Sequence, residues 1–281
     1  MSRWILRGLR SGIRTTRFPG PAAADEEQAG SRVRLRWQGL TPERALAAAE
    51  VCPTAAITAR GTNAEGDLKF DAGACIMCGR CTRQLPEAFL PVMDPRVAVA
   101  DRSRLTESVS WQHGQSPAPT DLQQMAVAVQ RRATSLFRHS LHIRHVDAGS
   151  CNGCESELQL LGGPYLDLHR LGLFFTPTPR HADLLLVTGV VTANMEGPLL
   201  ATYAAMPEPK LVIAAGVCAV SGGSFAEGPV TRGPLDRLLP VDVYIPGCPP
   251  TPRALLHGLL LAIGRAEEQT HSDSEEIDNA S

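Results

Sequence analysis

The chain has 281 residues, 43% of them hydrophobic and 20% charged, with a formal net charge of -2. That length suits two domains of ordinary size, and the near-neutral balance gives no reason to bind nucleic acid through overall charge. Eight cysteines are too few for a disulfide scaffold, and their tight C-x2-C spacings point to metal binding in a reducing compartment.

The opening stretch "MSRWILRGLRSGIRTTRFPG" places Arg3, Arg7, Arg10, Arg14 and Arg17 on one stripe of a helix. Ile5, Leu6, Leu9 and Ile13 fall on the adjacent face. Residues 1–20 therefore predict a basic amphipathic helix suited to an anionic membrane surface or a membrane subunit. A disordered basic tail, a helix docked on another protein and an organelle transit segment share this composition. There is no long apolar core of a secretory signal. No apolar run reaches the roughly 18 residues of a membrane span, and "ALLHGLLLAI" at 254–263 is short and interrupted by His257. The expected location is the cytoplasm, peripheral on the inner face of the cell membrane.

Residues 19–30 read as linker. Residues 31–95 predict a small α+β unit, with strands at "VRLRW" and "LKFD" and a helix at "TPERALAAAEV". Residues 96–140 read as linker followed by a helix capped by Asp121. From 141 to 266 the apolar runs "LHIRHV", "DLLLVTG", "KLVIAAG" and "VDVYIPG" alternate with helical stretches at 155–162, 194–205 and 252–265. That alternation implies βαβ units and a parallel sheet. The tail at 267–281 is acidic, polar and expected to be disordered.

The stretch "CIMCGRCTRQLPEAF" begins as a bacterial ferredoxin motif, C-x2-C-x2-C-x3-C-P. Cys75, Cys78, Cys81 and Pro86 fit, but Leu85 stands where the fourth cysteine belongs. In two-cluster ferredoxins the fourth cysteine of each motif binds the other cluster. An upstream Cys-Pro exists at Cys52-Pro53. Counting back from Cys52 by the motif's spacing reaches Ala48, Ala45 and Pro42. The four absent cysteines are the complete ligand set of one cubane, and Cys52, Cys75, Cys78 and Cys81 are the complete set of the other. The expected cofactor is one [4Fe-4S] cluster. A tetrathiolate zinc site competes, but zinc ribbons usually separate two C-x2-C pairs.

The remaining cysteines lie in "GSCNGCE", "GVCAVSGG" and "PGCPPTP". Each group follows a predicted strand, so Cys151, Cys154, Cys218 and Cys248 are expected to converge on one edge of the sheet. Gly149, Gly153, Gly216 and Gly247 would let the backbone approach a bulky second [4Fe-4S] cluster. Buried structural cysteines are the plain alternative. Eight ligands then serve two cubanes, and none is left for a further metal centre.

The stretches "SLHIRHVDAGSCNGCESE", "TPRHADLLLVTGVVTANM", "MPEPKLVIAAGVCAVSGG" and "LPVDVYIPGCPPTPRALLHGLL" resemble the small subunit of energy-converting, membrane-bound [NiFe] hydrogenases of the formate hydrogenlyase type. That family is similar to the 20 kDa subunit of respiratory complex I. The resemblance covers about 137–266. It implies a flavodoxin-like α/β domain whose proximal cluster is held by Cys151, Cys154, Cys218 and Cys248. "LRGLRSGIRTTRFP" resembles the start of the polyferredoxin-like subunit of the same complexes, so the chain looks like two neighbouring subunits fused. The implied partners are a [NiFe] large subunit, membrane subunits and a ferredoxin-like or other electron donor. The implied role is an electron relay for proton reduction or H2 oxidation, not the H2-activating subunit itself. Complex I subunits have adjacent cysteines at the first position, whereas Asn152 and Gly153 separate Cys151 from Cys154, as in the hydrogenases. A quinone oxidoreductase subunit and a nickel-free relative are the alternatives. Where relatives often carry an acidic residue before the third ligand, this chain has Val217.

Glu155 and Glu157 follow the first ligand pair; they are candidates for proton passage or for bonding the cluster loop, against a solvated helix start. Arg180 and His181 read as a turn, and His142 and His145 as strand residues. The glycine-rich loop from Ser221 to Ser224 lacks a following lysine and is not read as a nucleotide site.

Overall fold

The computed structural model describes residues 31–35, 41–62, 64–93, 97–111, 118–119, 140–226 and 228–266, with a few positions between 7 and 18. Most of the basic helix expected at 1–20, the helix expected after Asp121 and the tail from 267 lie outside the described residues. Among the described residues no helix is long and apolar enough to cross a membrane.

The C-terminal domain is built on five parallel strands. They are β7 (Leu141–Asp147), β8 (Leu173–Phe175), β9 (Leu184–Thr188), β10 (Leu211–Ala215) and β11 (Val243–Ile245). Their spatial order is β11-β10-β9-β7-β8, every pairing parallel. Counted within the domain this is the flavodoxin-like order 2-1-3-4-5. The middle strands "LLLVT" and "LVIAA" are buried along their whole length. Covering helices on both faces require such continuous apolar runs.

The helices are α3 (Gly153–Leu160), α4 (Ala193–Ala205), α5 (Val217–Ser221) and α6 (Pro252–Ala262). One face of the sheet packs Leu141, Ile143, Leu184, Leu186 and Ile213 against α3 and α6. The other packs Val146, Leu185, Val187 and Val212 against α4 and α5. Helix α6 starts cleanly: Thr251 caps it by accepting from the Ala254 N–H, and Pro252 sits at the first helical position. Its polar residues Arg253 and His257 are buried; Arg253 donates to the Tyr165 hydroxyl at 2.9 Å and His257 Nδ1 accepts from the Ala98 N–H at 3.4 Å.

The N-terminal unit contains β1 (Ser31–Leu35), α1 (Pro42–Val51), β2 (Ile57–Gly61), β3 (Gly66–Asp71), α2 (Arg80–Gln84) and β4 (Phe89–Met93). Strand β1 pairs antiparallel with β4. A second antiparallel sheet runs β2-β3-β5-β6, where β5 is Thr106–Trp111 and β6 is Ala118–Pro119. Its core holds Ile57, Leu68, Phe70, Phe89, Val109 and Trp111.

The linker expected over 96–120 is corrected by this arrangement. Thr106–Trp111 is a strand paired along its length with β3. Only Val109 and Trp111 of "TESVSW" are buried, so its apolar alternation is two residues long and easily missed. Residues 97–105 dock on the C-terminal domain. Val99 and Tyr244 exchange backbone hydrogen bonds of 3.0 and 2.8 Å, and Leu105 enters the core beside Leu185 and Leu199. Thr16 and Phe18 also reach this domain: the Thr16 N–H donates to the Tyr165 carbonyl at 2.7 Å, and Arg170 donates to the Thr16 carbonyl at 2.5 Å. Leu105→Ala should destabilise the chain by about 2–5 kcal/mol, measured by urea unfolding; a change under about 1 kcal/mol would mean the seam is not packed.

Candidate metal centres

Cys52 ends α1, Cys75 follows the turn after β3, Cys78 precedes α2 and Cys81 lies within it. All four thiols line one pocket, walled by Ile57, Phe70 and Ile76. Met77 and Gly79 have φ of 55° and 67°, so the chain coils tightly through the C-x2-C-x2-C run. The Met77 N–H donates to Cys75 Sγ at 3.4 Å. Thr54 Oγ1 donates to the Ala74 carbonyl at 2.9 Å and lies 3.7 Å from Cys52 Sγ, tying the two ligand segments together. Burial pushes the Cys75 thiol up to about 11, helped by charge on Cys81, Cys52 and Cys78 and opposed by the Met77 N–H. Burial also raises Cys81, with Cys78 and Cys52 adding to it.

The four positions expected to lack cysteines hold Pro42, Ala45, Ala48 and Leu85. Ala45 and Ala48 are 0% exposed, and Leu85 packs partly buried against the same cluster. Pro42 opens α1.

The second foursome sits at the C-terminal ends of the parallel strands. Cys151 and Cys154 follow β7, Cys218 lies in α5 after β10, and Cys248 follows β11. Burial pushes Cys154 up to about 12, with Glu155, Cys218, Cys248 and Cys151 each adding repulsion. Burial raises Cys218 to about 11, with Cys248 and Cys151 contributing, and raises Cys248 as well. This mutual repulsion places the four thiols in one neighbourhood. Gly216 has φ +86° and a Cβ there would lie 2.7 Å from Cys154 Sγ, so only glycine lets the β10–α5 turn pass this sulfur.

A polar network braces the Cys151–Cys154 loop from below. Ser150 Oγ lies 2.7 Å from Glu155 Oε2 and 3.1 Å from Asp147 Oδ2, its single proton shared between the two carboxylates. The Gly149 and Ser150 N–H groups donate to Asp147 Oδ1 at 2.9 and 2.7 Å. The Thr188 hydroxyl donates to Glu155 Oε1, and His145 Nε2 lies 2.8 Å from the same hydroxyl. Burial lowers the His145 ring, while Glu155 and Asp147 pull it back up. Glu155, read from sequence as a loop-bonding or proton-passing candidate, thus bonds the loop. Glu157 is raised by burial alone. Nothing in the sequence flagged Thr188 or Ser150, whose partners lie on other strands and turns. Arg180 and His181 sit in an exposed turn before β9. The loop from Ser221 to Ser224 wraps Cys218, with the Gly223 N–H donating to Ser221 Oγ at 3.1 Å. A Cβ on Gly223 would lie 3.5 Å from Cys218 Sγ.

Among the described residues no three His, Cys, Asp or Glu side chains are close enough to grip a single ion. Both thiol sets nonetheless fit an iron–sulfur group. Each offers four soft sulfurs in a partly apolar setting, and burial keeps the raised thiols neutral until a cationic centre displaces their protons.

The model of the NADH ubiquinone oxidoreductase 20 kDa subunit family matches residues 151–262. Formate hydrogenlyase subunit 7 of Escherichia coli is 40% identical over 156 residues, 56% of this chain and 61% of that protein. A probable membrane-bound hydrogenase subunit of Pyrococcus furiosus is 50% identical over 119 residues, 42% of this chain and 71% of that one. An NADH-quinone oxidoreductase subunit of Geobacter metallireducens is 49% identical over 107 residues, 38% of this chain and 62% of that one. The chain thus spans less than two thirds of the first and third of these relatives. A chain of the membrane-bound sulfane sulfur reductase, an archaeal respiratory membrane complex, is 33% identical with a TM-score of 0.40, over 51% of this chain and 84% of that chain. With the second relative covered over most of its length at half identity, this chain belongs to the NADH ubiquinone oxidoreductase 20 kDa subunit family.

Proposed function

We propose that this chain is an electron-transfer subunit of a membrane-associated [NiFe] hydrogenase complex. The observation that carries this reading is the presence of two separate four-thiol sites in one chain, one in each unit. Cys52, Cys75, Cys78 and Cys81 would hold one [4Fe-4S] cluster, in a unit that supports a one-cluster ferredoxin reading. Cys151, Cys154, Cys218 and Cys248 would hold the other, beside the large subunit. Bound clusters supply one-electron chemistry, and the partner large subunit would carry 2H⁺ + 2e⁻ ⇌ H2.

The chain's own residues place and tune. The network of Asp147, Ser150, Glu155 and Thr188 holds the first ligand pair, and Ile57, Phe70 and Ile76 give the Cys52 site partly apolar walls. Cys218 is preceded by Val217, a buried apolar residue at 1% exposure, rather than by a carboxylate. Membrane subunits and a ferredoxin-like or other donor complete the proposed assembly, with the basic N-terminal stretch favouring the membrane side of the complex. Asn152 adopts φ 69° between Cys151 and Cys154, and that separated ligand pair supports the hydrogenase reading over quinone reduction.

Anaerobically purified protein should contain about eight irons and eight sulfides per chain. Cys52→Ala and Cys248→Ala should each leave about four, with a different electron paramagnetic resonance signal surviving in each. Zinc in place of iron would sink the relay.

Gly216→Ala should remove about four irons, those of the second site alone, because the added methyl needs a strained backbone and meets Cys154. Full iron in that variant would mean the turn is not where the sulfur sits.

The raised thiols set a pH dependence. A thiol held near 11 or 12 is neutral at pH 7, so loading must expel its proton and becomes easier as pH rises. Reconstitution of the apo chain should run faster at about pH 9 than at about pH 7, with protons released to an indicator dye. Equal rates and no release would show thiols already ionised.

A further inference from the structure

We propose that Arg102 is a positioning residue that fixes the spacing of the two thiol sites, by clamping the turn that leads to Cys75 against the strand that leads to Cys248. The inference rests on the two-cluster relay above. Arg102 forks onto Asp71, with Nη1 donating to Oδ1 at 2.9 Å and Nη2 to Oδ2 at 2.6 Å. Both side chains are about three quarters buried, at 23% and 22% exposed, so this is a planar, two-point clamp rather than a loose surface pair.

Asp71 starts a compact turn. The Gly73 N–H donates to Asp71 Oδ1 at 2.9 Å, the Ala74 N–H to the Asp71 carbonyl at 3.1 Å, and the Cys75 N–H to the Ala72 carbonyl at 3.3 Å. The guanidinium also lies over Gly73: a Cβ there would fall 2.7 Å from its Cζ. Arg102 therefore grips the ligand turn by charge and by shape.

The other end of the clamp is the C-terminal domain. The segment carrying Arg102 runs antiparallel beside β11 through the paired hydrogen bonds of Val99 and Tyr244. Leu105 is buried in that domain's core, and its carbonyl accepts from the Ala72 N–H at 2.7 Å. Ala72 packs against the cores of both units. The Arg102 charge also reaches the Tyr244 phenol, opposing the rise that burial and Asp236 impose. On one side four positions separate Asp71 from Cys75; on the other, four separate Tyr244 from Cys248. A short, internally bonded path thus joins a ligand of one site to a ligand of the other, with Arg102 at its middle.

The test uses the full chain carrying its clusters, fully reduced, and reads spin–spin splitting between the clusters together with amide hydrogen exchange. The wild type should show about eight irons and a split signal. Arg102→Met should keep its iron, lose the splitting and exchange faster at residues 72–75. The swap of Asp71→Arg with Arg102→Asp should recover both, whereas Arg102→Lys, which lacks the fork, should not. An unchanged splitting in Arg102→Met would overturn the proposal. So would a wild type with full iron and no splitting, which would leave the relay itself standing. Loss of first-site iron in Arg102→Met, Arg102→Lys and the swap alike would overturn it in favour of simple folding support. About four irons in the wild type would instead fail the two-cluster reading from which the proposal starts.

Discussion

Parallel register is what allows the second site to exist. Ile213 stands opposite Leu186 and Val243, and Val146 opposite Val187, so β7, β9, β10 and β11 end on one level. A slip of one residue would turn each strand's core set to the wrong face. Held in register, strands separated by dozens of residues deliver Cys151, Cys154, Cys218 and Cys248 to a single edge. The burial that locks the register also withdraws water from Cys154 and Cys218, which is why burial raises these two thiols. Packing, ligand convergence and metal affinity are therefore one problem in this domain, and Gly216 is where they meet.

Much of this was legible in the sequence because each signal was local. The runs "LLLVT" and "LVIAA" are apolar throughout, as central parallel strands must be, and helices α1, α4 and α6 begin within a residue or two of their expected starts. Motif spacing grouped Cys52, Cys75, Cys78 and Cys81, and places after predicted strands grouped Cys151, Cys154, Cys218 and Cys248. What escaped was non-local or short. Strand β8 is three residues, and β5 shows only two buried side chains, so neither has a period to detect. The pair of Asp71 and Arg102 spans 31 positions, and Thr188 meets Glu155 across 33. Neither polar pair leaves a mark on hydrophobic patterning.

The two units differ in how they treat their sulfurs. In the C-terminal domain the cysteines sit on loops and first helical turns at the edge of the sheet, with carboxylate and hydroxyl groups bracing Cys151 and Cys154. In the N-terminal unit three of them lie on a short run bent at the left-handed Met77 and Gly79, with Cys52 at the end of α1 and the apolar core beside them. The seam formed by residues 97–105 joins these designs, and it is made of backbone pairing and one forked ion pair as well as apolar contact.

Ala45 and Ala48 limit what the N-terminal unit can hold. In a two-cluster chain their positions would face a cubane; here their methyl groups are sealed inside the core, against which Leu85 packs partly buried. Close-packed interiors do not open for a bulkier guest without shifting the backbone. Cysteines placed at 42, 45, 48 and 85 would complete the spelling of a second motif but not make room for what it binds. A second inorganic group in this unit would need a different backbone, not only different side chains.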